Sequence, residues 1–487
     1  DTLSLHDALP ILARDHDNGF AGLNDWRKTE LATLNTHWTV DGNNSLQLQA
    51  GWTGSTLGTG KEDNPTDPER GSRLSTNFGL LRWQHAPAAG EELSVSYYHQ
   101  EENGRDNFDL LVPVTSGLPF ALQLPIRFDY DFHVIRDDLE VQRITTLAPS
   151  LRAVIGAGMR VDRITAPQRF NTTDSIRNAV NHAFGTLEWR ASERWLFNVG
   201  TMIEDNSLTG RTLAPRASAN YHITDSQTWR VSVNRSHRNP VAFEQKSSMI
   251  FSTAAPVRTP VGTFPAGTPI SQTFRPSPQL QAERITTYEL GYRAELRPLH
   301  ASLDARIFLE QARELIEMNL EPSTIGLFRR SNNRYFANSG EADIRGLEIS
   351  ALWRPGTDTW LQLNHAELRI DGPTLNAADA LRRPSGWVEH SAPQHSTTLF
   401  GAWQMHPRWQ LSVAKHWIGS MSWYQDADHR VKMYRQLDLR LAHRLPPSLA
   451  RGELAITARN IDGPEETFAP GTSAWGSRIF GSLSLEL

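Results

Sequence analysis

Leu46-Gln47-Leu48-Gln49-Ala50-Gly51-Trp52 is the stretch whose reading decides the fold. Successive side chains of a strand point to opposite sides, so Leu46, Leu48, Ala50 and Trp52 share one face while Gln47, Gln49 and Gly51 share the other. The same period of two returns in Trp229-Arg230-Val231-Ser232-Val233-Asn234, Trp409-Gln410-Leu411-Ser412-Val413, Leu437-Asp438-Leu439-Arg440-Leu441 and Leu454-Ala455-Ile456-Thr457-Ala458. Each such strand has one apolar face and one wet face. The chain is therefore expected to be all-β.

Composition restricts what the apolar face can meet. The 487 residues are 39% hydrophobic with a mean hydropathy of −0.47, too polar for a bundle of membrane helices. The stretch 110–126 lacks charges but contains Pro113, Pro119 and Pro125 and falls short of the roughly 20 residues a spanning helix needs, so it reads as loop. A transmembrane β-barrel passes the hydropathy test, because only alternate residues meet lipid. The sequence has no Cys, which removes disulfides and thiolate chemistry and suits an oxidising compartment. A net charge of −5 without basic stripes gives no expectation of a nucleic-acid partner. The first residues lack the basic and apolar order of a signal peptide, and because Ser4-Leu5-His6-Asp7-Ala8-Leu9-Pro10-Ile11 resembles one reading frame of a sequencing adapter, 1–11 are expected to be non-native sequence, and 12–27 a truncated barrel start. The barrel domain is then 28–487.

About nine short connections join strand patterns as antiparallel hairpins, near 41–45, 86–91, 147–150, 191–194, 222–228, 297–301, 354–359, 405–408 and 445–452. Between them lie long stretches rich in Gly, Pro, Asn, Asp and Ser: 53–76, 103–137, 163–181, 241–282, 319–336 and 370–395. Compact soluble domains rarely carry so many long connections, whereas outer-membrane barrels alternate short turns with long loops. Trp38, Trp83, Trp189, Trp195, Trp229, Trp353, Trp360, Trp403 and Trp409 all fall near short turns, as an interfacial aromatic girdle requires. Nine hairpins plus a last strand over 478–487 make about 19 strands, an odd number where bacterial barrels are usually even. Closure needs the first and last strands to pair, so strands ahead of residue 28 are expected to be missing.

The chemistry-bearing residues fit this wall. His85, His99, His237, His365 and His406 lack the spacing of a zinc site and read as lumen, girdle or surface residues. Gly58-Thr59-Gly60 and Gly156-Ala157-Gly158 open no phosphate-binding helix. Glu62 with Asp63 and Glu465 with Glu466 read as solvated loop carboxylates. No catalytic, cofactor-binding or metal-ligating residue is expected. Arg82, Glu188, Arg230, Asp304, Arg306 and Arg440 should face the lumen, because an Arg in lipid near the midplane costs roughly 2 to 4 kcal/mol. The loop aromatics Phe251, Phe264, Trp387, Tyr424 and Trp475 are candidates for an extracellular binding surface.

In their order, several segments resemble the TonB-dependent receptor family of outer-membrane transporters. They are Leu213-Ala214-Pro215-Arg216, Arg235-Ser236-His237-Arg238-Asn239-Pro240, Leu280-Gln281-Ala282-Glu283-Arg284 with Thr287-Tyr288-Glu289-Leu290-Gly291-Tyr292, Asn338-Ser339-Gly340-Glu341-Ala342-Asp343-Ile344-Arg345-Gly346-Leu347-Glu348, Gln436-Leu437-Asp438-Leu439-Arg440, and Ala458-Arg459-Asn460-Ile461. The resemblance implies a barrel of about 22 strands, of which about 19 are counted here, with a plug domain and TonB-contacting box expected to be absent from this chain. It implies a bacterial outer-membrane location and the lipid bilayer as surroundings. It further implies transport of an iron–siderophore or related metal chelate, energised by the TonB complex through the missing plug segment. The chain's end, Ser484-Leu485-Glu486-Leu487, departs from the family's usual terminal aromatic residue. Two rival readings are a passive porin-like channel and a soluble all-β carbohydrate-acting enzyme.

Overall fold

The computed structural model describes all residues except 1–3, 20–22, 63, 65, 66, 115–121, 261, 278, 327–331, 374–387, 424, 425, 447–450, 464–475 and 487. It contains a 22-stranded sheet. The wall is an antiparallel meander of the strands β1 (Ser4–Asp17), β2 (Arg27–Thr39), β3 (Asn44–Thr59), β4 (Arg70–Ala88), β5 (Glu91–Arg105), β6 (Phe132–Ala148), β7 (Leu151–Thr165), β8 (Ile176–Arg190), β9 (Trp195–Asn206), β10 (Gly210–Thr224), β11 (Gln227–Arg238), β12 (Glu283–Leu296), β13 (Ala301–Pro322), β14 (Asn332–Trp353), β15 (Thr359–Asp371), β16 (His395–His406), β17 (Trp409–Ile418), β18 (Tyr434–Arg444), β19 (Arg451–Arg459) and β20 (Arg478–Glu486). The other two sheet members, Met249–Ser252 and Pro269–Phe274, belong to the connection between β11 and β12 and join the tip of β14 through a parallel bridge, Phe274 to Arg334. Among the described residues β1 pairs only with β2 and β20 only with β19, so the described sheet is not closed.

From β2 onward the wall matches the expected count of about 19 strands, and the nine short connections fall where the turn residues place them. The additional strand, β1, runs in ladder with β2 and includes part of the segment expected to be non-native.

The loops depart from expectation. Strands continue into the expected loops, β3 to Thr59, β4 from Arg70, β6 from Phe132 and β8 from Ile176, with smaller extensions to Arg105, Thr165 and Pro322. β13 and β14 reach 22 residues each, about twice what a tilted spanning strand needs. Beyond the apolar belt both faces meet water, so the period of two fades although the backbone ladder persists. Of the stretch 110–126, read as loop, the described residues are strand, since Asn107–Val114 pairs antiparallel with Leu122–Asp129.

Register makes the two faces explicit. Leu46, Leu48 and Trp52 of β3 lie level with Trp83, Leu81 and Asn77 of β4, and the same row continues through Val95 and Tyr97 to Val141 and Leu139. On the far side it runs through Val199, Ala217, Val233, Tyr288 and Leu309. Trp83, Trp189, Trp195, Trp229, Trp353, Trp403 and Trp409 are exposed on this outward face near the short turns. Trp360 is the exception: it lies opposite Ala402, on the face away from Leu361 and Leu363, and packs on Phe400 with ring centroids 5.0 Å apart. It lines the lumen and is not part of the girdle.

Candidate ligand-binding mouth

The inward face carries the charges assigned to it. Arg230 and Arg306 alternate with outward Val231 and Ile307, and Arg306 donates to Glu289 at 3.1 Å and Glu348 at 2.8 Å. Arg230 lies 3.8 Å from Glu289, so the four groups tie β11, β12, β13 and β14 together across the lumen wall. Arg82 lies 3.7 Å from Glu92, and Arg440 pairs with Glu453. Asn198, Arg216, Ser218, Asn220, Ser232 and Asn234 line a polar concavity of the same wall. Such a surface holds water and a hydrophilic solute by hydrogen bonds and charge.

At the loop side the connections form a built structure. Leu124 and Ile126 of the hairpin between β5 and β6 pack with Val257 and Ile270 of the connection between β11 and β12, and all four are buried. The expected binding residues Phe251 and Phe264 are brought together here, but against this core: Phe251 packs on Phe128 at 5.0 Å. Trp387, Tyr424 and Trp475 lie outside the described residues. Ala254 donates its N–H to the Pro125 carbonyl at 2.7 Å, which makes the two loops one body. The Arg70 guanidinium anchors that body to β4. It is bonded to Asp106 at 2.6 Å and Asp67 at 2.7 Å and sits 3.9 Å from the Phe108 ring centroid, and the carboxylates push its pKa further up.

A second joint lies at the root of the long connection, where residues of three sequence motifs meet. Arg238 donates to Glu283 at 2.7 Å and to Glu244 of the short helix α1 (Ala242–Lys246) at 3.1 Å. Asn338 accepts from the Gln281 N–H at 2.8 Å and donates to the Gln281 carbonyl at 3.0 Å and the Glu314 carbonyl at 2.7 Å. Glu314 has a left-handed φ of 57° at a bulge in β13, and Glu283 accepts the neighbouring Ile316 N–H at 2.7 Å. Over this joint Phe243, Phe274 and Phe336 form an aromatic cluster with centroid separations of 5.1 to 6.1 Å. The sequence reading missed this cluster. Its signal is weak, since three phenylalanines on separate elements share no period.

Of the histidines singled out in the sequence, His85 bonds the Asn44 side chain, His99 pairs with Asp137, His365 bonds Thr397 beside Glu367, and His406 accepts the Arg408 N–H. Among the described residues no group of three or more His, Asp or Glu is placed to hold a metal ion.

The profile described as TonB dependent receptor-like, beta-barrel, matches residues 5–461. The chain belongs to the TonB-dependent receptor β-barrel family. Barrels of that family reside in the outer membrane of Gram-negative bacteria and serve TonB-dependent transport. Solved structures with the same fold include the siderophore receptor PirA from Pseudomonas aeruginosa, with TM-score 0.67, 11% identity, and coverage of 94% of this chain and 71% of that one. PirA from Acinetobacter baumannii gives TM-score 0.70 at 10% identity, covering 95% and 71%. A variant of the ferric enterobactin receptor PfeA from Pseudomonas aeruginosa, solved in complex with enterobactin, gives 0.70 at 13% identity, covering 96% and 72%. No curated protein matches the chain in sequence.

Proposed function

We propose that this chain is the barrel of an outer-membrane receptor that captures a ferric chelate of the siderophore class at its loop side and imports it with energy from TonB. The observation that carries the reading is the built mouth: two joined loops and an aromatic cluster stand over a polar, charge-bridged lumen in a member of the TonB-dependent family. Short turns then face the periplasm and long loops the outside. TonB acts, in this reading, through the plug domain that the family places ahead of its barrel. Neighbours named as siderophore and ferric enterobactin receptors support the cargo class.

The test is radioiron uptake from ferric enterobactin and from a ferric hydroxamate, in cells stripped of their own chelate receptors and expressing the complete gene product. TonB-dependent uptake of either chelate supports the reading. Uptake that persists without TonB points to the passive channel, and no uptake of either chelate removes the siderophore assignment.

A further inference from the structure

The register sets four pairs of arginines directly opposite one another on the outward face: Arg73 with Arg105, Arg163 with Arg177, Arg284 with Arg313, and Arg345 with Arg369. All lie on the loop side of the apolar belt. Like charges directly opposed on neighbouring strands repel, so each pair calls for an anion. Three have a carboxylate. Asp371 accepts from Arg345 at 2.6 Å and from Arg369 at 2.9 Å, Asp137 accepts from Arg163 at 2.9 Å, and Asp343 pairs with Arg313 at 2.7 Å. The fourth pair differs. The ion pairs around it are Arg70 with Asp106 and Asp67, and Arg14 with Glu30; among the described residues none includes Arg73 or Arg105.

Lys28 adds a third cation on the same row, since Thr56 lies opposite both Lys28 and Arg73. Lys28, Arg73 and Arg105 are all exposed. They line one concavity with Thr56, with the Arg14–Glu30 ion pair, whose carboxylate is matched by its own guanidinium, and with Trp52, whose indole lies across Gly54 between the belt and the cations. The height is also informative. From Trp83 at the girdle to Arg73 the strand climbs about 34 Å, or about 24 Å along the membrane normal at a tilt near 45°. That equals the apolar band of about 25 Å, which puts the guanidinium groups at the level of lipid phosphates.

We propose that Arg73, Arg105 and Lys28 form a docking site for the phosphate of an outer-leaflet glycolipid, whose acyl chains run down the belt past Trp52. Two guanidinium forks and an ammonium match a phosphate's oxygens, and the continuous apolar face below favours a lipid over a free anion. The site rests on the outer-membrane placement proposed above and is independent of the transported cargo.

The test uses the complete chain folded in detergent, with diphosphoryl lipid A as probe, binding read by native mass spectrometry, and folding scored separately by heat-modifiable gel mobility. Joint replacement R73Q/R105Q should weaken binding at least tenfold, whereas R163Q, whose arginine already has Asp137, should change it less than twofold. Thr56→Glu places a carboxylate between Lys28 and Arg73, imitating Asp371. It should cost the same binding while raising the melting temperature, and it serves as the test should the double variant fail to fold. Unchanged binding in either, equal binding of dephosphorylated lipid A, or equal competition by inorganic phosphate overturns the glycolipid site.

Discussion

Val199 and Asn198 are adjacent residues on opposite faces of β9, and together they test the two-faced wall at its middle. Val199 lies beside Leu187 and Ala217 and is 57% exposed outward; Asn198 lies between Glu188 and Ser218 on the lumen face. From Trp195 to Val199 the strand rises about 14 Å, or about 10 Å along the normal, within a few ångströms of the midplane of a 25 Å band. Val199→Arg should therefore cost roughly 2 to 4 kcal/mol, which lowers the folding equilibrium constant about 30-fold to 900-fold. Asn198→Arg moves the same charge into the lumen opposite Glu188 and should stay within about 0.5 kcal/mol of wild type. Reversible denaturant unfolding in phospholipid vesicles, followed by tryptophan fluorescence, measures both. A Val199→Arg cost below about 1 kcal/mol, or an equal cost for Asn198→Arg, would refute the assignment of faces.

Leu124→Ala should loosen the joined loops by about 2 to 4 kcal/mol, because it leaves a cavity in a buried cluster; hydrogen exchange should quicken at Leu122–Asp129 and Pro269–Phe274 while the wall stays protected. Arg238→Ala strips Glu283 and Glu244 of their shared cation, so limited proteolysis should cut between Arg238 and Glu283 several times faster, with heat-modifiable mobility unchanged. In the turn after β2, Asp41 accepts from the Asn43 N–H at 2.8 Å and from the Asn44 side chain at 2.8 Å, and these bonds lower its pKa. A depressed carboxyl contributes stability above its unfolded pKa and loses it as pH falls through the folded value. The stability gap between wild type and Asp41→Ala should thus be constant above about pH 5 and shrink below about pH 4, as read from denaturant midpoints.

What the sequence shows of this fold, and what it hides, both follow from where water is. Inside the belt one face must be apolar, so the alternation in Leu46–Trp52 or Trp409–Val413 is forced and legible. Past the belt neither face is constrained, and β13 and β14 continue as polar ladders that look like loop. The hairpin at Asn107–Val114 is obscured by Pro113 for a related reason: a strand at the edge of a two-stranded ribbon accommodates a proline that a central wall strand would not. Nearness to a turn alone misplaces Trp360 on the girdle. Parity settles it, since Leu361 and Leu363 claim the outward face and leave Trp360 with Gln362 inside.

The motifs that mark the family explain their own silence about cargo. Arg238, Glu283 and Asn338 come from three separate stretches, and short-range pattern cannot show that they meet; the register of β11 through β14 does. Once together they bond to one another's strands, to α1 and to the bulge at Glu314, and so fix the root of the longest described connection. Their task is to hold a large loop at one angle over the lumen, which any cargo would require. In the proposed reading, discrimination falls to surfaces above that joint, such as those around Phe243, Phe274 and Phe336, where no period constrains the choice of residue. A member of this family can therefore keep its motifs while its mouth is rebuilt for a different cargo.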